Sequence, residues 1–351
     1  MAGFCPEEFL SEVTVAHSTV ARNSKWTRSR YAWLNMKSLR IPFSRSFASA
    51  ARESLVAAPD GGTLGLASYG AADAPGDRRL LVVGGAFLTA LIYRPFALAL
   101  SRELGKDWAV DVYDRRGRGN SSEQPADYSL DTEIADVQLM LRHTGSRNLF
   151  GHSLGGSVVL NAVQAFQGND ATDRRFADPR IVPDRLAVYD PAINIEGEMN
   201  ASWMREFVAE ANRGRTGRAL SIMHRGMRTS PTLSRVPAPL LAALLGIATN
   251  TRWGQMTRTA ISSGTGELLA ALGEVESAQE FASLPPVTQF MAGAKSPVYF
   301  RTTAAKLHAV VPGSTYVESP DGVHASVPAA IGELVGDIAA YFTGNPRHSG
   351  R

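Results

Sequence analysis

Residues 148–163 read Asn148-Leu149-Phe150-Gly151-His152-Ser153-Leu154-Gly155-Gly156-Ser157-Val158-Val159-Leu160-Asn161-Ala162-Val163. Residues 148–150 form a brief strand running into Gly151, and 155–167 are apolar on most faces, as a helix packed against a sheet should be. The Gly-x-Ser-x-Gly string between them would arise by chance roughly 0.2 times in a chain of this glycine content, so the string alone decides little. Its position carries more weight. A strand that ends where a buried helix begins forces a sharp turn, which is expected to hold Ser153 in a strained, exposed conformation. Gly151 and Gly155 leave room for that turn, and Gly156 lets the helix approach the sheet. The Leu154 N–H, at the helix start, would point toward an oxyanion beside Ser153. The plainer alternative is a glycine-rich turn carrying an ordinary serine.

On either side of this turn the chain alternates strand-like and helix-like segments. Residues 54–58 and 63–69 flank the turn-forming Pro59-Asp60-Gly61-Gly62 and are expected to pair as a hairpin. Further strands are expected at 80–83, 108–113, 185–189, 287–291 and 314–318, with helices reaching to about Leu104 and over 131–143 and 299–310. The last helix is expected to begin near Ser326 as N-cap, with Pro328 in its first turn and Ile331, Leu334, Val335, Ile338, Tyr341 and Phe342 on one face. Strands separated by helices predict an α/β fold, a mostly parallel sheet with helices on both faces.

Residues 193–284 break the rhythm. They hold helix-like pieces at 202–212, 219–228, 239–248 and 268–277 and no convincing strand, which reads as a helical cap inserted between two sheet strands. The expected division is a core of 54–192 and 285–344, a cap of 193–284, and an extension of 1–53. Met223, Met227, Trp253 and Met256 in the cap serve either core packing or pocket lining.

A serine is a poor nucleophile near neutral pH and needs a base. Of seven histidines, His17 and His348 sit in the tails, His143 and His308 on helical segments, and His224 in the cap. His152 lies inside the turn itself and is expected to pack or hydrogen-bond locally. Only His324 lies in a loop between the final strand and the final helix, where Asp321-Gly322-Val323-His324 can carry an imidazole over the carboxyl edge of the sheet.

Composition excludes several classes. With 44% hydrophobic and 20% charged residues the 351-residue chain is that of a folded protein. Its uncharged, mostly apolar stretches at 80–93 and 236–251 fall short of the eighteen or so apolar residues that span a bilayer. Cys5 is the only cysteine, and no Cys or His cluster has metal-ligand spacing, so neither an internal disulfide nor a structural zinc or other metal site is expected. Residues 1–52 hold eight Lys/Arg against three Asp/Glu, leaving 28 basic and 30 acidic residues for the rest. The high pI therefore comes from the N-terminal extension. Its acid-free, serine-rich run from Val13 to Arg52 fits an organelle-targeting segment, a disordered tail, or sequence ahead of an alternative start at Met36. Without targeting, a cytoplasmic location is expected. The body offers no matching basic composition for nucleic acid, and a small molecule is the expected partner.

Two further runs carry a resemblance. Together with the Ser153 turn, Asp114-Arg115-Arg116-Gly117-Arg118-Gly119-Asn120-Ser121 matches the D-x-R-G-x-G-x-S pattern that follows the fourth strand of the α/β-hydrolase fold. The chain resembles that family from about Ser54 to Phe342. By itself the arginine run would read as an anion-binding nest; the resemblance implies a structural turn. Gly84-Gly85-Ala86-Phe87 occupies the place of the family's oxyanion loop, with Gly84 where histidine is common. The resemblance implies a second oxyanion N–H from Ala86, or from Phe87 if the register slips by one.

The acid that orients the histidine is less plainly written. The family usually carries it after the strand that follows the cap, yet here Ala292-Gly293-Ala294-Lys295-Ser296-Pro297 has no carboxylate. Between Met291 and His324 only Glu318 and Asp321 are acidic. Asp190, directly after the strand 185–189, is well placed, since some members carry the acid one strand earlier; its other reading is a turn cap before Pro191. Glu196 and Glu198 at the start of the cap, or a Ser-His dyad, are the remaining possibilities. The resemblance thus implies a cofactor-independent serine hydrolase, with Ser153, His324 and Asp190 acting on an ester or lactone of an apolar or moderately sized substrate. Ser153 in place of an aspartate argues against epoxide hydrolysis and haloalkane dehalogenation. Perhydrolysis, thioester cleavage, carbon–carbon hydrolysis, acyl transfer and mere ligand binding stay open.

Overall fold

The apolar strands carry side chains to two separate cores. In β3 (Arg79–Val83), Leu81 and Val83 point into one cluster and Leu80 and Val82 into the other, the period-two alternation of a strand covered on both faces. In β6 (Arg185–Tyr189), Leu186 and Val188 divide from Ala187 and Tyr189 in the same way. The computed structural model describes residues 51–168, 175–228, 233, 235–250, 252–272, 275–285 and 287–344. Cys5, His17, Met36 and the basic segment before residue 51, together with His348 and the side chains of Trp253 and Met256, lie outside the described residues.

The other strands are β1 (Arg52–Ala57), β2 (Thr63–Gly70), β4 (Ala109–Tyr113), β5 (Asn148–His152), β7 (Thr288–Gly293) and β8 (Thr315–Ser319). All eight form one sheet in the order β1-β2-β4-β3-β5-β6-β7-β8. β2 runs antiparallel to β1 and β4, and every other pairing is parallel. From β3 the chain goes to β4 on one side and then to β5 on the other. This switch opens a crevice beyond the carboxyl ends of β3 and β5, where ligands bind in open parallel sheets.

Helices α1 (Ala90–Leu104) and α9 (Gly332–Thr343) cover one face of the sheet, through Tyr93, Phe96 and Leu100 and through Leu334, Val335 and Ile338. Helices α2 (Leu130–Thr144), α3 (Leu154–Gln167) and α8 (Val298–Val310) cover the other, with Val137, Met140, Val159, Val163, Ala304 and Leu307 in its core. Between β6 and β7 the chain inserts α4 (Met204–Asn212), α5 (Thr216–Met227), α6 (Ala238–Ala248) and α7 (Arg252–Leu272). They build a third cluster from Met204, Phe207, Leu220, Ile261 and Leu268, with Leu154 and Phe300 contributed by the sheet layer. Among the described residues no helix is long and apolar enough to cross a membrane.

Besides the helix over residues 252–267, which the sequence reading did not place, three segments differ from that reading. The final helix starts at Gly332, because the Ser326 hydroxyl accepts the Val323 N–H at 2.9 Å inside a 3₁₀ turn over His324–Ser326 and does not cap a helix; Ile331 precedes α9 and is exposed. Residues 268–277 are not a helix of their own. Helix α7 ends at Leu272, Glu276 pairs with Ile195 as an isolated bridge, and Ser277 with Glu280 caps the short 3₁₀ turn Ala278–Phe281. Strand β1 begins at Arg52, two residues early, where the Arg52 guanidinium donates to the Gly70 carbonyl at 2.8 Å.

Candidate active site

The turn from β5 into α3 forces Ser153 to φ 55° and ψ −124°, a conformation that costs a non-glycine residue strain and that the surrounding packing must hold. A β-carbon on Gly155 would overlap the carbonyl oxygen of Val83, so only glycine lets α3 start this close to β3. On the opposite side Gly85 passes the serine so closely that a β-carbon there would lie 3.0 Å from Ser153 Cβ. Ser153 is only 5% exposed, in contrast to the exposed serine expected from the turn alone. The apolar cluster of the inserted helices, which reaches Leu154, Ala86 and Phe87, encloses it.

Three chain segments converge on this serine. Ser153 Oγ lies 3.0 Å from His324 Nε2, and His324 Nδ1 lies 3.1 Å from Asp190 Oδ2. Asp190, fully buried at φ 46°, also accepts the Gly293 N–H on Oδ1 at 3.0 Å and the Ser296 hydroxyl on Oδ2 at 2.5 Å. An oxygen acting as acceptor here makes His324 Nδ1 the donor, which leaves Nε2 to accept from the Ser153 hydroxyl. The imidazole stacks on Phe300 at 4.3 Å and 6°. Glu318 and Asp321 are elsewhere: Glu318 faces Arg301 and Tyr316, and Asp321 pairs with Lys295 at the surface. Glu196 and Glu198 both hold Lys306 at 2.7 Å.

His152 does more than pack locally. Its Nε2 donates to the His324 carbonyl at 3.0 Å, so its Nδ1 is the acceptor for the Tyr93 hydroxyl at 2.6 Å, and Tyr93 in turn accepts the Gly85 N–H at 2.7 Å. One hydrogen-bonded line thus joins the loop after β3 to the backbone of His324. Burial, reinforced by the neighbouring His324, pushes the His152 pKa well below its ordinary 6.5, so the ring stays neutral as these bonds require. Because Gly85 has spent its N–H on Tyr93, the next free positions of the loop are Ala86 and Phe87, the latter at φ 63°.

The arginine run is a buried brace rather than an anion site. Arg115 pairs with Glu133 at 3.0 Å and Glu267 at 3.2 Å, Arg116 with Asp136 at 2.8 Å and Asp60 at 2.6 Å, and Arg118 with Glu267. Arg115 and Arg118 also donate to the carbonyls of Gly84 and Gly85, which fixes the loop beside Ser153. Glu267 belongs to α7, and Gly264 one turn earlier lies against the Phe87 ring. Sequence reasoning missed Tyr93, Glu267, Ser296 and Phe300, each of which meets the site through a partner on another element, His152, Arg118, Asp190 and His324 respectively. Among the described residues no three His, Cys, Asp or Glu side chains gather as metal ligands.

The sequence matches the profile of the alpha/beta hydrolase family over residues 80–331, well over half of the chain, and the protein belongs to that family. Among solved structures, an alpha/beta hydrolase from Sphaerobacter thermophilus is similar at a TM-score of 0.61 and 23% identity, covering 82% of this chain and all of its own. An esterase from Exiguobacterium antarcticum follows at 0.58 and 16%, covering 83% and 99%. The enol-lactonase from Burkholderia xenovorans superposes at 0.55 and 18%, covering 83% and 100%. At these identities the likeness establishes the fold. No curated protein sequence is similar enough to count as a relative.

Proposed function

We propose that the protein is a serine hydrolase that cleaves a carboxylic ester or lactone through an acyl-enzyme. The observation that carries this reading is the unbroken run of contacts from Ser153 Oγ through both nitrogens of His324 to Asp190 Oδ2, at 3.0 and 3.1 Å. In this reading Ser153 Oγ attacks the acyl carbon as His324 Nε2 takes its proton, and the imidazolium then returns that proton to the leaving oxygen. Water, deprotonated by the same nitrogen, attacks the acyl carbon and releases the acid and Ser153. Asp190 holds the imidazole through Nδ1 and offsets its charge in the transition state.

The tetrahedral oxyanion is stabilised by the N–H groups of Leu154 and Ala86, with Phe87 as the alternative to Ala86. Leu154 supports its part by opening α3, whose first N–H groups have no partner within the helix. The inserted helices act as a cap whose cluster of Met204, Phe207, Leu220 and Ile261 supports an apolar acyl or alkyl group. The esterase and lactonase names of two structural neighbours agree with this class of substrate. The test is hydrolysis of short p-nitrophenyl esters by the purified chain and by Ser153→Ala. Turnover by the wild type that falls to background in a folded Ser153→Ala variant supports the reading, and turnover retained by the variant contradicts it.

A further inference from the structure

Helix α6 turns an apolar side outward. Leu240, Leu244 and Ile247, stacked at helical spacing, are 52%, 47% and 69% exposed, and no residue of the helix is charged. Pro239 and Ala243 extend the same strip. Leu241, on the inward side, is buried. Contiguous large apolar side chains on a surface mark a face that meets something other than water.

The surroundings of this strip say what. The near-neutral total of the body conceals a basic block: residues 204–266 hold nine arginines against two glutamates, net +7, while the rest of the chain together carries −4. From 211 to 266 there is no acidic residue at all. Arg225, Arg228 and Arg235 all precede α6 closely in the chain, and Arg225 reaches the Val236 carbonyl, two residues before the helix, at 3.3 Å. On the side of α6 away from the strip, Arg215, Arg218 and Arg258 line a cavity of about 720 Å³ with Ala242, Gly246 and Thr249. Glu210 takes up part of the charge of Arg213, Arg215 and Arg218.

We propose that the inserted helices dock on an anionic lipid surface through α6, the Leu240–Leu244–Ile247 strip entering the headgroup boundary and the flanking arginines meeting lipid phosphates. An apolar helical face with cationic flanks is the chemistry such a surface selects. A nucleic acid would use the arginines but leave three aliphatic side chains in water. A second copy of this chain would bring one strongly positive block against another. The proposal is independent of the catalytic reading, because attachment is measured without turnover.

The test is sedimentation of the full chain with vesicles of phosphatidylcholine alone and of phosphatidylcholine with about one-third phosphatidylglycerol. The expected result is attachment to the mixed vesicles at least about tenfold tighter than to the neutral ones, weakening between low salt and about 0.15 M. The variant Leu240→Ser/Leu244→Ser/Ile247→Ser should lose about tenfold or more of that affinity at an unchanged melting temperature. Arg225→Gln/Arg228→Gln/Arg235→Gln should weaken it as well. Equal attachment to both vesicle types, or undiminished attachment by the leucine variant, would overturn the proposal; the latter would assign lipid contact to the basic N-terminal segment. Absence of attachment combined with a change of oligomeric state in the leucine variant would overturn it in favour of self-association.

Discussion

The Ser296 hydroxyl donates to Asp190 Oδ2 at 2.5 Å, the same oxygen that faces His324 Nδ1. Two segments thus orient one carboxylate: β6 supplies it, and the loop after β7 fixes its rotation. Ser296→Ala leaves this oxygen with one partner fewer and is expected to lower kcat about tenfold with little change in KM, since outer hydrogen bonds of this kind position the acting group. Steady-state kinetics on a soluble ester, with Ser296→Thr as the conservative control expected to recover most of the rate, checks it.

Asp190→Asn should cost about 10⁴-fold in kcat, because an amide at this place favours the wrong imidazole tautomer. Glu318→Gln, Asp321→Asn, Glu196→Gln and Glu198→Gln should each stay within about twofold, as their carboxylates pair with Arg301, Lys295 and Lys306 away from His324. A large loss in any of these four, with Asp190→Asn near normal, would move the acid elsewhere.

His152 makes stability depend on pH. Its folded pKa is depressed below the ordinary 6.5, so above that pH both folded and unfolded chains carry it neutral and its full contribution is present. As pH falls below 6.5 the unfolded chain takes up a proton that the folded chain refuses, and stability is lost toward the folded pKa. This one group contributes a slope of up to about 1.4 kcal/mol per pH unit. Urea unfolding of wild type and His152→Asn between pH 7.5 and about pH 5 should show a lower overall stability for the variant and a shallower acid slope. Identical slopes would contradict the buried neutral ring.

Glu267 is the only carboxylate that α7 sends to Arg115 and Arg118, and both guanidinium groups are buried with it. Glu267→Gln leaves that charge under-compensated and is expected to destabilise the fold by about 3–5 kcal/mol in urea titrations. Glu206→Gln, whose contact with Arg218 at 3.8 Å is exposed, should change the unfolding midpoint little.

The parts of this site that can be read from the sequence are those whose causes are local. A strand, three glycines and a helix within sixteen residues define the Ser153 turn, and a short loop between the last strand and the last helix singles out His324. The parallel sheet is equally local in origin, since its strands are brief apolar runs each followed by a helix. Ser296 has no such signature: it matters only because β6 and β7 lie side by side and bring it to Asp190, 106 residues away. Glu267 carries no local signal and matters only because α7 lies over the arginine loop, and Tyr93 only because α1 brings its hydroxyl to His152. Ser326 imitates an N-cap, complete with Pro328, and only the three-dimensional path of the His324 turn shows that its hydroxyl already serves Val323.

Whether Ser153 is the nucleophile is decided by treating the folded chain with a fluorophosphonate and locating the adduct by peptide mass mapping. One phosphonyl group per chain is expected on Ser153, formed in step with the loss of ester hydrolysis, with no labelling of Ser153→Ala. Complete inactivation with the adduct on another residue, or turnover that persists after Ser153 is fully labelled, would contradict it.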